Sequence, residues 1–233
     1  MPRIGIVAAF HSELRPVVRG WERRGSVWLG RIGPVEVRAA CAGMGSAAVT
    51  RACDQIIGCP TSARGSQPWE QPIDTLVSVG FAGSLSCGLK PPEACAVREV
   101  IDAATGERFP TLDPDGQRLI TLDHVADPLE KRRLAEKFQA VLVDMEAAAV
   151  ARFARSHSLG FSCVKAVTDG PNDQLPDFNR FTGPDGQLRL PALILHALTH
   201  PQTWSPLRRL ARNSSAAAEE LAVFMSRRIG TSK

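Results

Sequence analysis

The sequence predicts an α/β protein of one domain: three αβα layers around a central mixed, mostly parallel β-sheet. Three observations predict it. Apolar runs of strand length recur, as in RIGIVAAF (3–10), VEVRAACAG (35–43), DTLVSVGFAG (74–83), AVLV (140–143) and FSCVKAV (161–167). Strands that lack alternation are those buried on both faces, the habit of parallel sheets. Helical patterns of about 10–15 residues separate them, as crossover connections require. Finally, 44% apolar residues in 233 provide core for one large domain, with an ordinary 22% charged.

Taken in order, the first strand run leads into HSELRPVV, a helix start with Ser12 as N-cap and Pro16 near the first turn. VEVRAACAG passes through Gly43-Met44-Gly45 into SAAVTRACDQII, a helix capped by Ser46 and stopped by Gly58. GCPTSARGSQPWEQP (58–72) is rich in turn formers and reads as a mobile surface loop. DTLVSVGFAG is a central strand ending in a glycine-punctuated turn. A less regular β region spans 94–125, broken by DPDG at 113–116. DPLEKRRLAEKF opens a helix with Asp127 as cap, Pro128 in the first turn and Glu130 closing a capping box. AVLV and FSCVKAV follow, and between them VDMEAAAVA (143–151) begins a helix that closes at Gly160. From TGPDG the chain turns polar, then ends as an extended helical tail over 182–233, in two segments separated by HPQTWSP. With neither a repeat nor a dividing linker, 1–233 reads as one domain.

The bulk chemistry narrows the function. Twenty-eight Lys and Arg against 24 Asp and Glu leave +4, too slight a bias to expect a nucleic-acid partner. The basic runs EKRRLAEK (130–137) and LRRLAR (207–212) lie in helical patterns and read as solvated faces. Six cysteines show neither a CxxC pair nor Cys/His metal spacing, so they read as reduced core residues and no metal is expected. No secretory segment and no apolar run of about 18 residues is present, so no membrane span is expected and the reading is a reducing cytoplasm.

In an open parallel sheet, ligands bind beyond the carboxyl ends of the strands. His11, Ser12 and Glu13 lie there after the first strand, and Gly43 to Gly45 after the second. Gly80, Phe81, Ala82 and Gly83 follow the third, Asp144, Met145 and Glu146 follow AVLV, and Thr168 and Asp169 follow FSCVKAV. Three of these groups bring carboxylates to one edge from distant parts of the sequence. Each has a plain structural alternative: Glu13 as a helix-dipole partner, Asp144 as an N-cap, Asp169 as a turn former. Glu146 is harder to explain that way, because the alanines after it permit close packing and a dry neighbourhood. GMGSAA matches G-x-G-x-x-A, but away from the first strand and without an acid about 20 residues on. The sequence has no G-x-S-x-G, Walker or H-E-x-x-H motif.

Together these residues resemble the purine nucleoside phosphorylase/nucleosidase superfamily, most of all its methylthioadenosine/S-adenosylhomocysteine nucleosidase branch. The resemblance runs to about Phe181, through IGIVAAFHSEL, CAGMGSAAV, VSVGFAGSL, VDMEAAAVARFA and FSCVKAVTDGPND. Its most specific part is the pairing of VDMEAAA with AVTD about 20 residues later. It implies a nucleoside phosphorylase-like fold, a purine nucleoside substrate, no metal or organic cofactor, and a homodimer whose second subunit closes the 5′ end of the pocket. Asp169 is implied as the acid near purine N7, steadied by Thr168; burial in an apolar, partly dry site keeps such a carboxyl protonated near neutrality. Glu146 is implied to accept hydrogen bonds from the ribose hydroxyls as charge grows on the sugar. Met145 would pack under the sugar, Ala82 and Gly83 would line the substrate, and Glu13 would orient and deprotonate the attacking water.

Two departures bear on specificity. Relatives often set an aromatic against the purine in the segment matching TLDHVAD, where His124 and Val125 stand here. A small serine or threonine usually occupies the position of Phe81, where phosphorolytic relatives bind phosphate; a phenyl ring supplies no donor and takes up space. Phe178 and Phe181 in PDFNRF are candidates for a lid over the 5′ substituent. The expectation is an N-ribosyl hydrolase that releases adenine from a 5′-modified adenosine. The alternative is a phosphorylase holding phosphate at Gly43-Met44-Gly45 or Arg15, including one that acts on a lipid-linked (hopanoid) adenosine. A non-catalytic nucleoside binder and a Rossmann-type oxidoreductase complete the field.

Overall fold

The structure is a computed structural model and describes residues 3–43, 45–58, 72–173, 175 and 204–230. Its strands are β1 (Arg3–Ala8), β2 (Glu22–Arg24), β3 (Val27–Ile32), β4 (Val35–Cys41), β5 (Thr75–Ser84), β6 (Ala94–Asp102), β7 (Arg108–Pro110), β8 (Gln117–Thr121), β9 (Leu142–Asp144) and β10 (Gly160–Asp169). The helices are α1 (His11–Leu14), α2 (Ser46–Ile57), α3 (Pro128–Phe138), α4 (Ala147–Ser156) and α5 (Trp204–Gly230). One mixed sheet runs in the order β10-β6-β8-β9-β5-β1-β4-β3-β2, with β7 beside β6, and β5 pairs with β10 as well.

The neighbours β4, β1, β5 and β10 are parallel throughout. Their side chains are buried on both faces, which is why these segments read as unbroken apolar runs. Helices α2 and α4 cover one face of the sheet, and α1 and α5 the other. Ala147, Ala151 and Ala154 of α4 are buried where that helix meets β5, β10 and α2. Small side chains there allow the close approach read from the sequence. Helix α3 closes a third cluster, in which Leu134 packs with Ile101, Ile120 and Val143.

Several local expectations are corrected. Strands β2 and β3 fall in a region with no strand predicted; they join each other and β4 by two-residue turns in which Gly25 and Gly33 have φ of 59° and 57°. Helix α1 starts at His11, so its N-cap is Phe10 and not Ser12, and it ends before Pro16. Ser46 is the first residue of α2, preceded by Gly45 at φ 91°, while Gly58 ends the helix as expected. Asp127 caps α3 by accepting the Glu130 N–H at 2.8 Å, but the Glu130 carboxylate turns to His124 instead of closing a capping box. Helix α4 stops at Ser156, and Gly160 begins β10. The second helical segment of the tail begins at Trp204, inside HPQTWSP, and runs to Gly230, docked on β10, β5 and β6. The expected loop over 59–71, Met44, Phe178, Phe181 and the start of the tail lie outside the described residues. Among the described residues no helix is long and apolar enough to cross a membrane.

Candidate active site

The ends of β1, β9 and β10 and the last part of β5 open on a cavity of about 540 Å³. Glu13, Phe81, Ala82, Gly83, His124, Val125, Met145, Glu146, Thr168 and Asp169 all line it. Of the residues expected to contact the nucleoside or activate water, these are all that the structure describes. Arg15 and Gly45 are not among its lining residues, and Arg15 is exposed.

Glu13 is buried although it follows a strand end by only five residues. One carboxylate oxygen accepts the N–H of Phe10 at 2.8 Å, the other the N–H of Phe81 at 2.8 Å. It therefore does cap α1, and it also ties that turn to β5 and faces the cavity. A side chain at Gly80 would place its Cβ 2.8 Å from Glu13 Oε1, so glycine is what lets the carboxylate reach this position. Burial pushes the Glu13 carboxyl above its ordinary range, against the pull of the Phe10 and Phe81 amides.

Asp144 and Glu146 divide the work two residues apart. Asp144 accepts the Ala147 N–H at 2.9 Å and the Thr121 hydroxyl at 2.7 Å, and pairs with Lys165 Nζ at 2.8 Å. Its carboxylate caps α4 and neutralises the one lysine of a central strand. Glu146 makes no capping bond. Burial, with Asp144's charge added, pushes it up to about 8, and Lys165 opposes that rise. Partly buried, Glu146 lines the cavity and is not committed to the helix end.

Asp169 stands opposite Gly83 in the β10–β5 pairing, just after a register irregularity. Oδ1 accepts the Thr168 hydroxyl at 2.9 Å, and Oδ2 lies 2.5 Å from Lys131 Nζ. The ammonium also donates to Gly170 O at 2.8 Å. The lysine is an addition to the apolar, partly dry site expected around this carboxyl, and it corrects the reading of EKRRLAEK as a solvated face. Arg132, Arg133, Glu136 and Lys137 are exposed, but Lys131 is buried and lines the cavity.

His124 stands at the rim between Asp123 and Glu130, at 2.7 and 2.9 Å, and those hydrogen bonds hold its imidazole above the usual range. The tail contributes too. Leu210 and Ser214 of α5 line the cavity, and Asn213 donates to the Thr168 carbonyl at 2.9 Å.

Residues 121–199 match the family model described as the phosphorylase superfamily. The whole chain also superimposes on solved nucleosidases. S-Adenosylhomocysteine nucleosidase from Streptococcus pyogenes aligns over 97% of both chains with a TM-score of 0.67 at 16% identity. Futalosine hydrolase of Helicobacter pylori covers 96% of this chain and 95% of its own, with a TM-score of 0.66 at 14% identity. The 5′-methylthioadenosine/S-adenosylhomocysteine nucleosidase of H. pylori covers 97% and 98%, at 0.63 and 15%. The chain shares the fold of these solved nucleosidases. Comparison by sequence with curated proteins finds no match. The segment that the family model matches holds Lys131, Asp144, Glu146, Lys165 and Asp169, while Glu13 and Phe81 lie upstream of it.

Sequence reasoning missed Lys131, Lys165, Leu210 and Ser214. For the two lysines a signal was present. Lys131, Leu134 and Phe138 recur at i, i+3 and i+7, which places Lys131 on the inward stripe of α3. Lys165 interrupts an apolar strand, where a charge requires a partner. The contribution of α5 depends on long-range docking and leaves no local mark.

Proposed function

We propose that this protein is an N-ribosyl hydrolase that releases the purine from a 5′-modified adenosine of the methylthioadenosine or S-adenosylhomocysteine type. The observation that carries the reading is the convergence of Glu13, Glu146 and Asp169 on one cavity. Cleavage of a purine nucleoside needs three things at once: a proton for the departing base, an anchor for the sugar as it becomes cationic, and a nucleophile at the anomeric carbon. Asp169 with Thr168 serves the base. Glu146 receives the ribose hydroxyls, and binding them favours its charged form, which then faces the growing oxocarbenium charge. Glu13, held by two backbone amides, retains lone pairs to orient and deprotonate water. Met145, Ala82 and Val125 supply apolar contact.

Water is favoured over phosphate as the nucleophile. Phe81 offers no hydroxyl, and its N–H is already given to Glu13. The cavity's lysine is paired with Asp169. The resemblance of the fold to solved nucleosidases and to a futalosine hydrolase supports the same class. A homodimer that closes the 5′ end belongs to this proposal, and light scattering on the purified protein tests it. The activity is tested by incubation with methylthioadenosine, S-adenosylhomocysteine, adenosine and inosine, with and without phosphate. Free base and free sugar at a phosphate-independent rate are expected. Base released only with phosphate, as a sugar 1-phosphate, would overturn the hydrolase reading.

A further inference from the structure

We propose that Lys131 is the proton reservoir for the departing base, acting through Asp169. This rests on the nucleosidase reading above and adds to it a residue which that reading does not require. Both oxygens of Asp169 already accept hydrogen bonds, one from Thr168 and one from Lys131. Arranged so, the carboxylate is an acceptor with no proton of its own to give. The ammonium beside it has one, and lines the same cavity. A buried ammonium is a poor choice for stability alone, since an apolar residue of similar volume usually serves as well or better. Ala126 and Val143 line the cavity with Lys131 and are apolar.

The step balances. As the bond from the anomeric carbon to N9 breaks, its electron pair passes into the purine. N7 takes a proton through Asp169 Oδ2, and Lys131 Nζ supplies it and becomes neutral. Water bonds to the anomeric carbon and gives its proton to Glu13. Exchange with solvent reprotonates Lys131 and deprotonates Glu13, so the net change is the addition of one water. Of the other titratable groups facing the cavity, His11 lies against Trp28 at its exposed edge, and the rest are committed elsewhere. Asp144 pairs with Lys165, and His124 is held by Asp123 and Glu130. Glu13 is held by backbone amides, Glu146 faces the sugar side of this reading, and behind Gly170 Asp173 pairs with Arg209.

The test compares wild type, Lys131→Met and Lys131→Arg in kcat against pH on a nucleoside that wild type cleaves. In Lys131→Met the reservoir is gone and only Thr168 still donates to Asp169, so the basic limb of kcat moves down by about one pH unit or more. Arginine keeps the charge but does not release its proton, so Lys131→Arg loses about 10²-fold or more in kcat at every pH. A Lys131→Met limb that coincides with wild type, or full activity in Lys131→Arg, would overturn the proposal. A second measurement needs neither turnover nor a variant: carboxyl ¹³C NMR of Asp169 in the empty wild-type protein. An ionised Asp169 at neutral pH is expected, and a protonated one would overturn the proposal. If wild type cleaves no nucleoside, the nucleosidase reading fails, while the NMR result still decides the state of the pair.

Discussion

Alanine at Gly83 probes the geometry on which the base chemistry depends. Gly83 lies between β9 and β10, opposite Val143 on one side and Asp169 on the other. A Cβ there would sit 2.8 Å from Asp169 Oδ2, 3.2 Å from Val143 Cγ1 and 3.4 Å from Lys131 Nζ. Ordinary contact begins near 3.4 Å, so the carboxylate must retreat by 3.4 − 2.8, or about 0.6 Å. It has little freedom to do so, since one oxygen is fixed by Thr168 and the other by a buried lysine. Overpacking of this kind costs about 1–3 kcal/mol, which for a chain of this length lowers Tm by about 2–12 °C. A shift of that order at a reacting group costs about 10- to 100-fold in rate. The loss belongs in kcat more than in KM, because the acid acts in the transition state. Thermal melts and initial rates of base release measure both effects. A Gly83→Ala protein with wild-type kcat would refute the idea that the position of Asp169 matters to the reaction.

Three further outcomes follow from the same contacts. Asp144→Ala leaves the Lys165 ammonium buried without its partner and removes the α4 cap, so urea unfolding should show a loss of about 3–5 kcal/mol; an unchanged midpoint would contradict the structural role of Asp144. Glu146 is raised from 4.5 to about 8 in the empty site. A raised carboxyl stabilises the fold fully below 4.5 and loses that contribution as pH climbs through about 8. Wild-type Tm should therefore fall across that window relative to Glu146→Gln, which stays neutral; parallel melting curves would contradict the account. Phe81→Ser adds a hydroxyl and space beside Glu13, so phosphate should begin to affect the rate in this variant while leaving wild type unchanged, as product analysis with and without phosphate would show.

Much of the fold was legible because burial on both faces writes itself into the sequence as unbroken apolar runs. Strands β1, β4, β5 and β10 were found that way, and the carboxylates at their ends followed. Strands β2 and β3 were missed because they run out to the sheet edge at β2, where Glu22 and Arg23, and Arg31 on β3, stay exposed and break the apolar pattern. Two glycine turns were their only mark. Caps were misplaced by two residues at Ser12 and by one at Ser46, where hydroxyls near a helix start looked like caps although the backbone had already turned. At the site, Glu13, Glu146 and Asp169 were legible as charges beside strand ends. Lys131 was hidden by charged neighbours on α3 that do face solvent, and only the helical period separates it from them. The lining from α5 arises from tertiary docking, which no local pattern encodes.

The most direct test of the central claim is single-turnover release of base in phosphate-free buffer by wild type, Glu13→Gln and Asp169→Asn. The account predicts release by wild type and a loss of about 10²- to 10⁴-fold in each variant, with nucleoside binding retained. Equal rates in the three proteins, or binding without release by wild type, would contradict it.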